Sequence, residues 1–425
     1  MINAIFKGNI VHTPTKDKFE IFDDAYLIIE NGLVSKITDS LEDFYKQYTI
    51  KDYSGKLIIP GFVDLHLHAP QYPNRGLGLD KELIPWLNTY TFPEESRYKD
   101  IDYAKGVFKL LINELWRVGS TRSVVFSSVF KESTELLLDM FIESGLGAYV
   151  GKVNMDKNCS LSLTEDTYNS LEETKDLITK YQNHSNLVKP IITPRFIPTC
   201  TSELLQGLGL LAKQFDIPIQ SHLNENKSEV IWVKELYPES KSYASVYDEF
   251  GLFGQTKTIM AHCVYNTEEE IKLMKDNGVF VAHCPYSNYN LSSGMMPSRK
   301  FLDANVNFGL GSDISGGHTL SIPQVIVGAI QTSKMVWIND KELRPLTISE
   351  AFYLGTKGGG SFFGKVGSFE EGYEFDALVI DVDNLMTGKS LTTEEILQKF
   401  IYIGTEKNIL ERYVAGRRIE QPFEI

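Results

Sequence analysis

The sequence predicts an α/β protein: a (β/α)₈ barrel with one small β domain assembled beside it from the two ends of the chain. Three features of the 425 residues carry that prediction. Eight apolar, strand-like runs alternate with longer amphipathic segments across residues 60–370. Five of those runs end in a histidine or an aspartate. Residues 1–59 and 371–425 read instead as short strands separated by turns. An open doubly wound sheet gives the same string locally, so the barrel rests on the pattern and the polar strand ends together.

The chain opens with INAIFKGNIVH, AYLIIENGLVSKIT and SGKLIIP. Asn31-Gly32 in the second is a two-residue hairpin signal, because both residue types tolerate positive φ. The barrel strands follow as LIIPGFVDLHLH, STRSVVFSS, GLGAYVGKVNM, VKPIITPRF, IPIQSHL, KTIMAHC, GVFVAHC and VNFGLGSD. Between them lie helices such as YAKGVFKLLINELWRVG, TSELLQGLGLLAKQFD and EEEIKLMKDNG. Their apolar positions recur at three- and four-residue spacing, and they often end near a glycine. The tail returns to β character in YEFDALVIDVDNL and ILERYVAGRRIE, which pair most simply with residues 1–59.

A content of 42% apolar and 23% charged residues is that of a soluble globular protein folded throughout. The net charge of −14, with no Lys/Arg block able to track phosphates, argues against a nucleic-acid partner. No stretch reaches the roughly 18 apolar residues of a membrane span, and the N-terminus lacks a signal-type apolar region. A cytoplasmic enzyme acting on a small molecule is therefore expected. Cys159, Cys200, Cys263 and Cys284 form no CxxC pair, so any metal is to be held by histidine and carboxylate.

Catalytic groups of such barrels gather at the C-terminal ends of the strands. Strand one ends at His66 and His68, strand five at His222, strand six at His262, strand seven at His283 and strand eight at Asp313. Alternation along strand one puts Asp64, His66 and His68 on one face and Leu65 and Leu67 on the other. Two imidazoles then point into the barrel mouth, and Pro70 and Pro73 stop the strand so that a loop can cover them. An HxH pair, a distant third histidine and a terminal aspartate make an open ligand set with room for a water. His262-Cys263 and His283-Cys284 do not suit a Cys₂His₂ site, since adjacent strand residues face opposite ways. Glu225 follows His222 by three, and a helical turn after the strand brings its carboxylate back over the site for proton transfer. Strand four ends in Arg195, where a carboxylated lysine bridging two metals would be needed, so one ion is expected.

PGFVDLHLH, SHLNE, MAHC and GLGSDISGG, in that order, resemble the amidohydrolase superfamily of metal-dependent hydrolases. HAPQYPNRG, PWLNTYTFPEE, TPRFIPTC, SHLNENKSEV and AHCPYSNYNLSSG resemble, within it, the guanine deaminase family, and the likeness covers nearly the whole chain. The resemblance implies a distorted (β/α)₈ barrel with a flanking β-sandwich, a homodimer, one zinc ion, and hydrolysis of guanine to xanthine and ammonia. His and carboxylate also suit iron. By position it implies His66, His68, His222 and Asp313 as metal ligands, His262 beside the attacking water and Glu225 as proton shuttle. Gln71, Arg195 and Phe196 fall on substrate-contacting positions. Arg195 offers fixed donors, Gln71 a donor and an acceptor, and Phe196 an aromatic wall, with Trp86 and Phe92 as further candidates for the wall or for the core. His283 and His318 receive no role. The competing expectations are an aminohydrolase acting on another purine, a pterin or a triazine, and a non-catalytic scaffold, against which the full set of site residues speaks.

Overall fold

The computed structural model describes residues 3–386 and 388–424. Four strands open the chain: β1 (Ala4–Thr15), β2 (Lys18–Glu30), β3 (Leu33–Thr38) and β4 (Thr49–Pro60). The first three form an antiparallel meander, and β4 pairs parallel with β1. Asn31 (φ 56°) and Gly32 (φ 79°) take the left-handed conformations that the hairpin between β2 and β3 requires.

The barrel strands are β5 (Phe62–His68), β6 (Ser120–Phe126), β7 (Gly147–Gly151), β8 (Val153–Asn154), β9 (Val188–Pro190), β10 (Thr193–Pro194), β11 (Ile219–Leu223), β12 (Thr258–His262), β13 (Phe280–His283) and β14 (Asn307–Leu310). They pair in parallel in two halves, β5-β6-β7-β9 and β11-β12-β13-β14. A parallel bridge between Ile192 and Ile219 joins the halves on one side. On the other, Asp313 N donates to His66 O at 2.8 Å and His68 N to Ile314 O at 3.0 Å. The ring is distorted at its fourth strand, which breaks into β9 and β10, the latter pairing only with β8. Pro190 and Pro194 lack the N–H groups that a continuous ladder would use.

The first barrel run expected from sequence, LIIPGFVDLHLH, divides at Gly61: Leu57–Pro60 completes β4, and only Phe62–His68 joins the barrel. A Cβ at Gly61 would come within 2.4 Å of the Thr121 side chain, so this close crossing needs glycine. The tail adds β15 (Ala377–Ile380), β16 (Ile409–Val414) and β17 (Arg417–Arg418). One sheet of order β17-β16-β15-β4-β1-β2-β3 thus unites the two ends of the chain, over a core that includes Phe6, Ile29, Phe375 and Tyr413. Arg122 on β6 fastens this sheet to the barrel. Its Nε donates to Asp376 Oδ2 at 2.6 Å, and its Nη2 to Asp376 Oδ1 at 2.9 Å and to Glu374 Oε2 at 2.6 Å.

The three helices named from sequence run Ile101–Arg117, Ser202–Phe215 and Glu268–Asp276. Asp100, Thr201 and Thr267 cap their N-termini through side-chain oxygens, satisfying amides that the first turn leaves free. No helix among the described residues is long and apolar enough to cross a membrane. The connection from β5 to β6 is the one that shapes the site. It holds a 3₁₀ turn at Ala69–Asn74, a helix at Leu83–Trp86, a π-helical turn at Leu87–Thr91 and a short helix at Phe92–Glu95.

Candidate active site

The polar strand ends converge. His66 Nε2 lies 3.2 Å and His68 Nε2 3.5 Å from Asp313 Oδ1, and His68 Nε2 lies 3.1 Å from His222 Nε2. His262 Nε2 is 3.5 Å from Glu225 Oε2 and 3.8 Å from Asp313 Oδ2. Two overlapping sets, His66-His68-Asp313 and His66-His222-His262, each bring their donor atoms within 4.8 Å of one another. The period of a strand explains the first contribution: two residues apart on β5, His66 and His68 share a face. Asp64 Oδ1 then ties β5 to the segment after β14, accepting from Ser312 N at 2.9 Å and His66 N at 3.2 Å. The two segments lie so close that a Cβ at Gly311 would stand 2.8 Å from that of His66.

The donor set fits a divalent cation. His66 Nε2 and His262 Nε2 are buried with no hydrogen-bond partner among the described residues. His222 Nδ1 lies 2.6 Å from Arg195 O; a carbonyl only accepts, so the proton sits on Nδ1 and Nε2 turns its lone pair inward. Burial lowers the pKa of His66 and pushes His68 and His222 far down, so these rings stay neutral. Burial works the other way on Asp313, but the facing His66 and the charge of His262, whose own pKa Glu225 and Asp313 raise, hold its carboxyl well below the usual range. Neutral imidazoles around an ionised carboxylate are the protonation states that metal binding requires.

Glu225 reaches the site by a route other than the helical turn expected from sequence. The helix after β11 starts only at Lys227, and the chain first turns through Asn224 in the left-handed region, at φ 52°. Glu229 supports that turn: its Oε2 accepts from Glu225 N at 2.9 Å and Asn226 N at 3.2 Å, while its Oε1 accepts from Tyr243 OH at 2.7 Å. Glu225 Oε1 accepts from Ser293 Oγ at 3.2 Å. Burial, reinforced by Asp313 and Glu229 and opposed by His262, pushes its pKa up to about 7.

A cavity opens onto these groups. His68, His222, Glu225, His262 and Asp313 line it together with Gln71, Arg195, Phe196, Trp86 and the apolar Leu83, Leu87 and Leu291. Trp86 lines the cavity with its indole N–H donated to Leu77 O at 3.0 Å. Phe92 is placed differently: the guanidinium of Arg195 lies over its ring, 5.2 Å from the centroid. Sequence reasoning missed Glu95, which bridges Gln71 and Arg195, and Asn288, whose Oδ1 lies 3.0 Å from His262 Nδ1. Asn288 and Ser293 lie within the AHCPYSNYNLSSG stretch, the one signal that could have found them.

His283 is fully buried against Phe308, outside the cavity, with neither ring nitrogen partnered among the described residues, and burial pushes it down to about 3. His318 is exposed, its ring against Tyr286. Cys263 and Cys284 point their thiols at backbone carbonyls and stand outside both ligand sets.

Residues 57–419 match the amidohydrolase family. The chain belongs to the amidohydrolase family. Amidohydrolases are metal-dependent hydrolases, and the His/Asp cluster is where this one has the donors for an ion. This amidohydrolase is 40% identical to the guanine deaminase of Dictyostelium discoideum, covering 99% of this chain and 98% of the relative. It is 36% identical to the guanine deaminase of Homo sapiens, covering 98% and 96%. Among solved structures it superposes on guanine deaminase from C. acetobutylicum with guanine bound in the active site. That match has a TM-score of 0.97 and 52% identity, over 98% of this chain and 100% of that one.

Proposed function

We propose that this amidohydrolase converts guanine to xanthine and ammonia, using one zinc ion held by His66, His68, His222 and Asp313. The observation that carries the reading is the cavity itself: it joins the cation-binding cluster to a space lined by Gln71, Arg195, Phe196 and Trp86. A bound ion of this kind supplies Lewis-acid activation of water at neutral pH.

The protein's own groups do the rest. Guanine C2 carries an amine, a poor leaving group that departs only when protonated. Water adds at C2, the C2–N bond breaks, and the nitrogen leaves as ammonia. Glu225 takes one proton from the attacking water and gives it to the ring nitrogen, then takes the second from the added hydroxyl and gives it to the departing amine; with its pKa near neutrality it both accepts and gives. Asp313 accepts a hydrogen bond from the attacking water and orients it, and His262 stands beside it to donate to the developing negative charge. Gln71 and Arg195 direct N–H donors at the acceptors of the ring, and Phe196 and Trp86 cover its flat faces.

The test is ammonia release from guanine by purified protein, with adenine, cytosine and a pterin alongside, with and without a chelator. Guanine-selective, chelator-sensitive release is expected. Chelator-sensitive release from another ring alone would leave the metal chemistry standing and overturn the purine assignment, and no release from any ring after adding zinc would favour a scaffold.

A further inference from the structure

Resting on that proposed function and deepening it, we infer that Glu95 is a positioning residue for purine recognition, fixing Gln71 and Arg195 as a pair of donors. Its side chain sits behind the cavity and not in it: Gln71 and Arg195 line the space and Glu95 does not. All three are buried, at 4% exposure for Glu95, 2% for Gln71 and 3% for Arg195. They come from three segments: the 3₁₀ turn after β5, the short helix Phe92–Glu95 and the residue following β10.

Each carboxylate oxygen of Glu95 serves one partner. Oε1 accepts from Gln71 Nε2 at 2.9 Å and Oε2 from Arg195 Nη1 at 2.6 Å. The other end of the Gln71 amide is equally determined, because its Oε1 accepts from Ser315 N at 3.3 Å. A carboxylate only accepts and a backbone N–H only donates, so the amide cannot flip. A free glutamine could offer the ring either a donor or an acceptor. This one is held with its amide nitrogen on the Glu95 side, and its second N–H remains for the substrate.

Arg195 is restrained in the same way, by Glu95 at Nη1 and by the Phe92 ring under its plane, with further N–H groups left over. The same residue's carbonyl orients His222, so the recognition side and the metal side meet in one residue. Two donors held side by side match a 6-oxo purine, which presents acceptors at O6 and N7 on one edge. A 6-amino purine places a donor where the first acceptor should be, and a site built on fixed donors rejects it.

The experiment is Glu95→Gln, of equal size, assayed with guanine beside wild type. Its amide has one acceptor and one donor, so one of the two partners now faces a donor. The expected result is a rise in KM of about tenfold to a hundredfold, with kcat changed much less. Metal content should match wild type; the melting temperature should fall, because the buried Arg195 loses its counter-ion, so both enzymes are assayed well below it. In a background already carrying Gln71→Ala and Arg195→Ala, the same substitution should leave kcat/KM unchanged, because Glu95 acts only through those side chains. Glu95→Asp keeps two acceptor oxygens on a shorter arm and should raise KM less than Glu95→Gln does. An unchanged KM in Glu95→Gln would overturn the inference, as would a full effect persisting in the double-variant background or an equal effect from Glu95→Asp. Wild type that leaves guanine untouched would overturn the proposed function and this inference with it; active wild type with an indifferent Glu95→Gln overturns the role of Glu95 alone.

Discussion

On the proposed function, replacing Glu225 with Gln removes a proton carrier and almost nothing else. The amide has the same heavy-atom shape, and its Oε1 can still accept from Ser293 Oγ, now at 3.2 Å from the carboxylate. Glu229 holds residue 225 through the backbone nitrogen, which the substitution leaves alone. Among the described residues, the only other carboxylate lining the cavity is Asp313, which the facing His66 and the charge of His262 keep ionised and which faces the ligand cluster. No second carboxylate poised near neutrality therefore lines the cavity, among the described residues, to take over the transfer. General acid–base catalysis contributes about 10²–10⁴-fold, and without a substitute the loss in kcat should fall in the upper part of that range, about 10³-fold or more. That is about 4 kcal/mol of barrier. Xanthine formation followed by absorbance gives kcat, and elemental analysis of the same sample gives metal per chain. Metal content should equal that of wild type. Turnover within tenfold of wild type would refute the shuttle, and loss of metal would make Glu225 a ligand.

Arg122→Met should destabilise the fold by about 3–5 kcal/mol in urea unfolding, because it leaves the fully buried Asp376 carboxylate facing the barrel without its cation; a loss below about 1 kcal/mol would mean that Arg122 does not clamp the terminal sheet to the barrel. His12 is buried, and burial pushes its pKa down from 6.5 to about 4. Between those values the unfolded chain binds a proton that the folded one refuses, so stability falls as pH drops through the window, by up to about 3 kcal/mol for this group. In His12→Gln the unfolding free energy should depend less steeply on pH between 6.5 and 4, and an unaltered slope would show that His12 does not titrate there.

The local part of this protein was legible because it repeats at short range. Strand period two puts His66 and His68 on one face whatever the rest of the chain does, and Asn31-Gly32 turns a hairpin because only certain residues accept positive φ. The eight barrel runs could be read for the same reason, although not where the first one divides. Gly61 separates β4 from β5 inside a run that looks continuous, and what decides it is the Thr121 side chain of a neighbouring strand.

Charged side chains were the hard part. Glu95 and Glu229 read as ordinary acidic residues, since nothing in FPEE or NKSEV says that the carboxylate is buried or what it holds; strand alternation put Asp64 on the inner face with His66 and His68, but not the amides it accepts from. Glu225 was found by its distance from His222, yet it reaches the cavity through Asn224 and the hold of Glu229, not by the helical turn that the spacing suggested. By itself the sequence determined the periodic elements and the donor types at their ends, because covalent geometry sets both over a few residues. Only the tertiary structure decided which donors meet and which carboxylates orient them. Those pairings join residues as far apart as Arg122 and Asp376, or Glu95 and Arg195, and exist only once the intervening chain has folded between them.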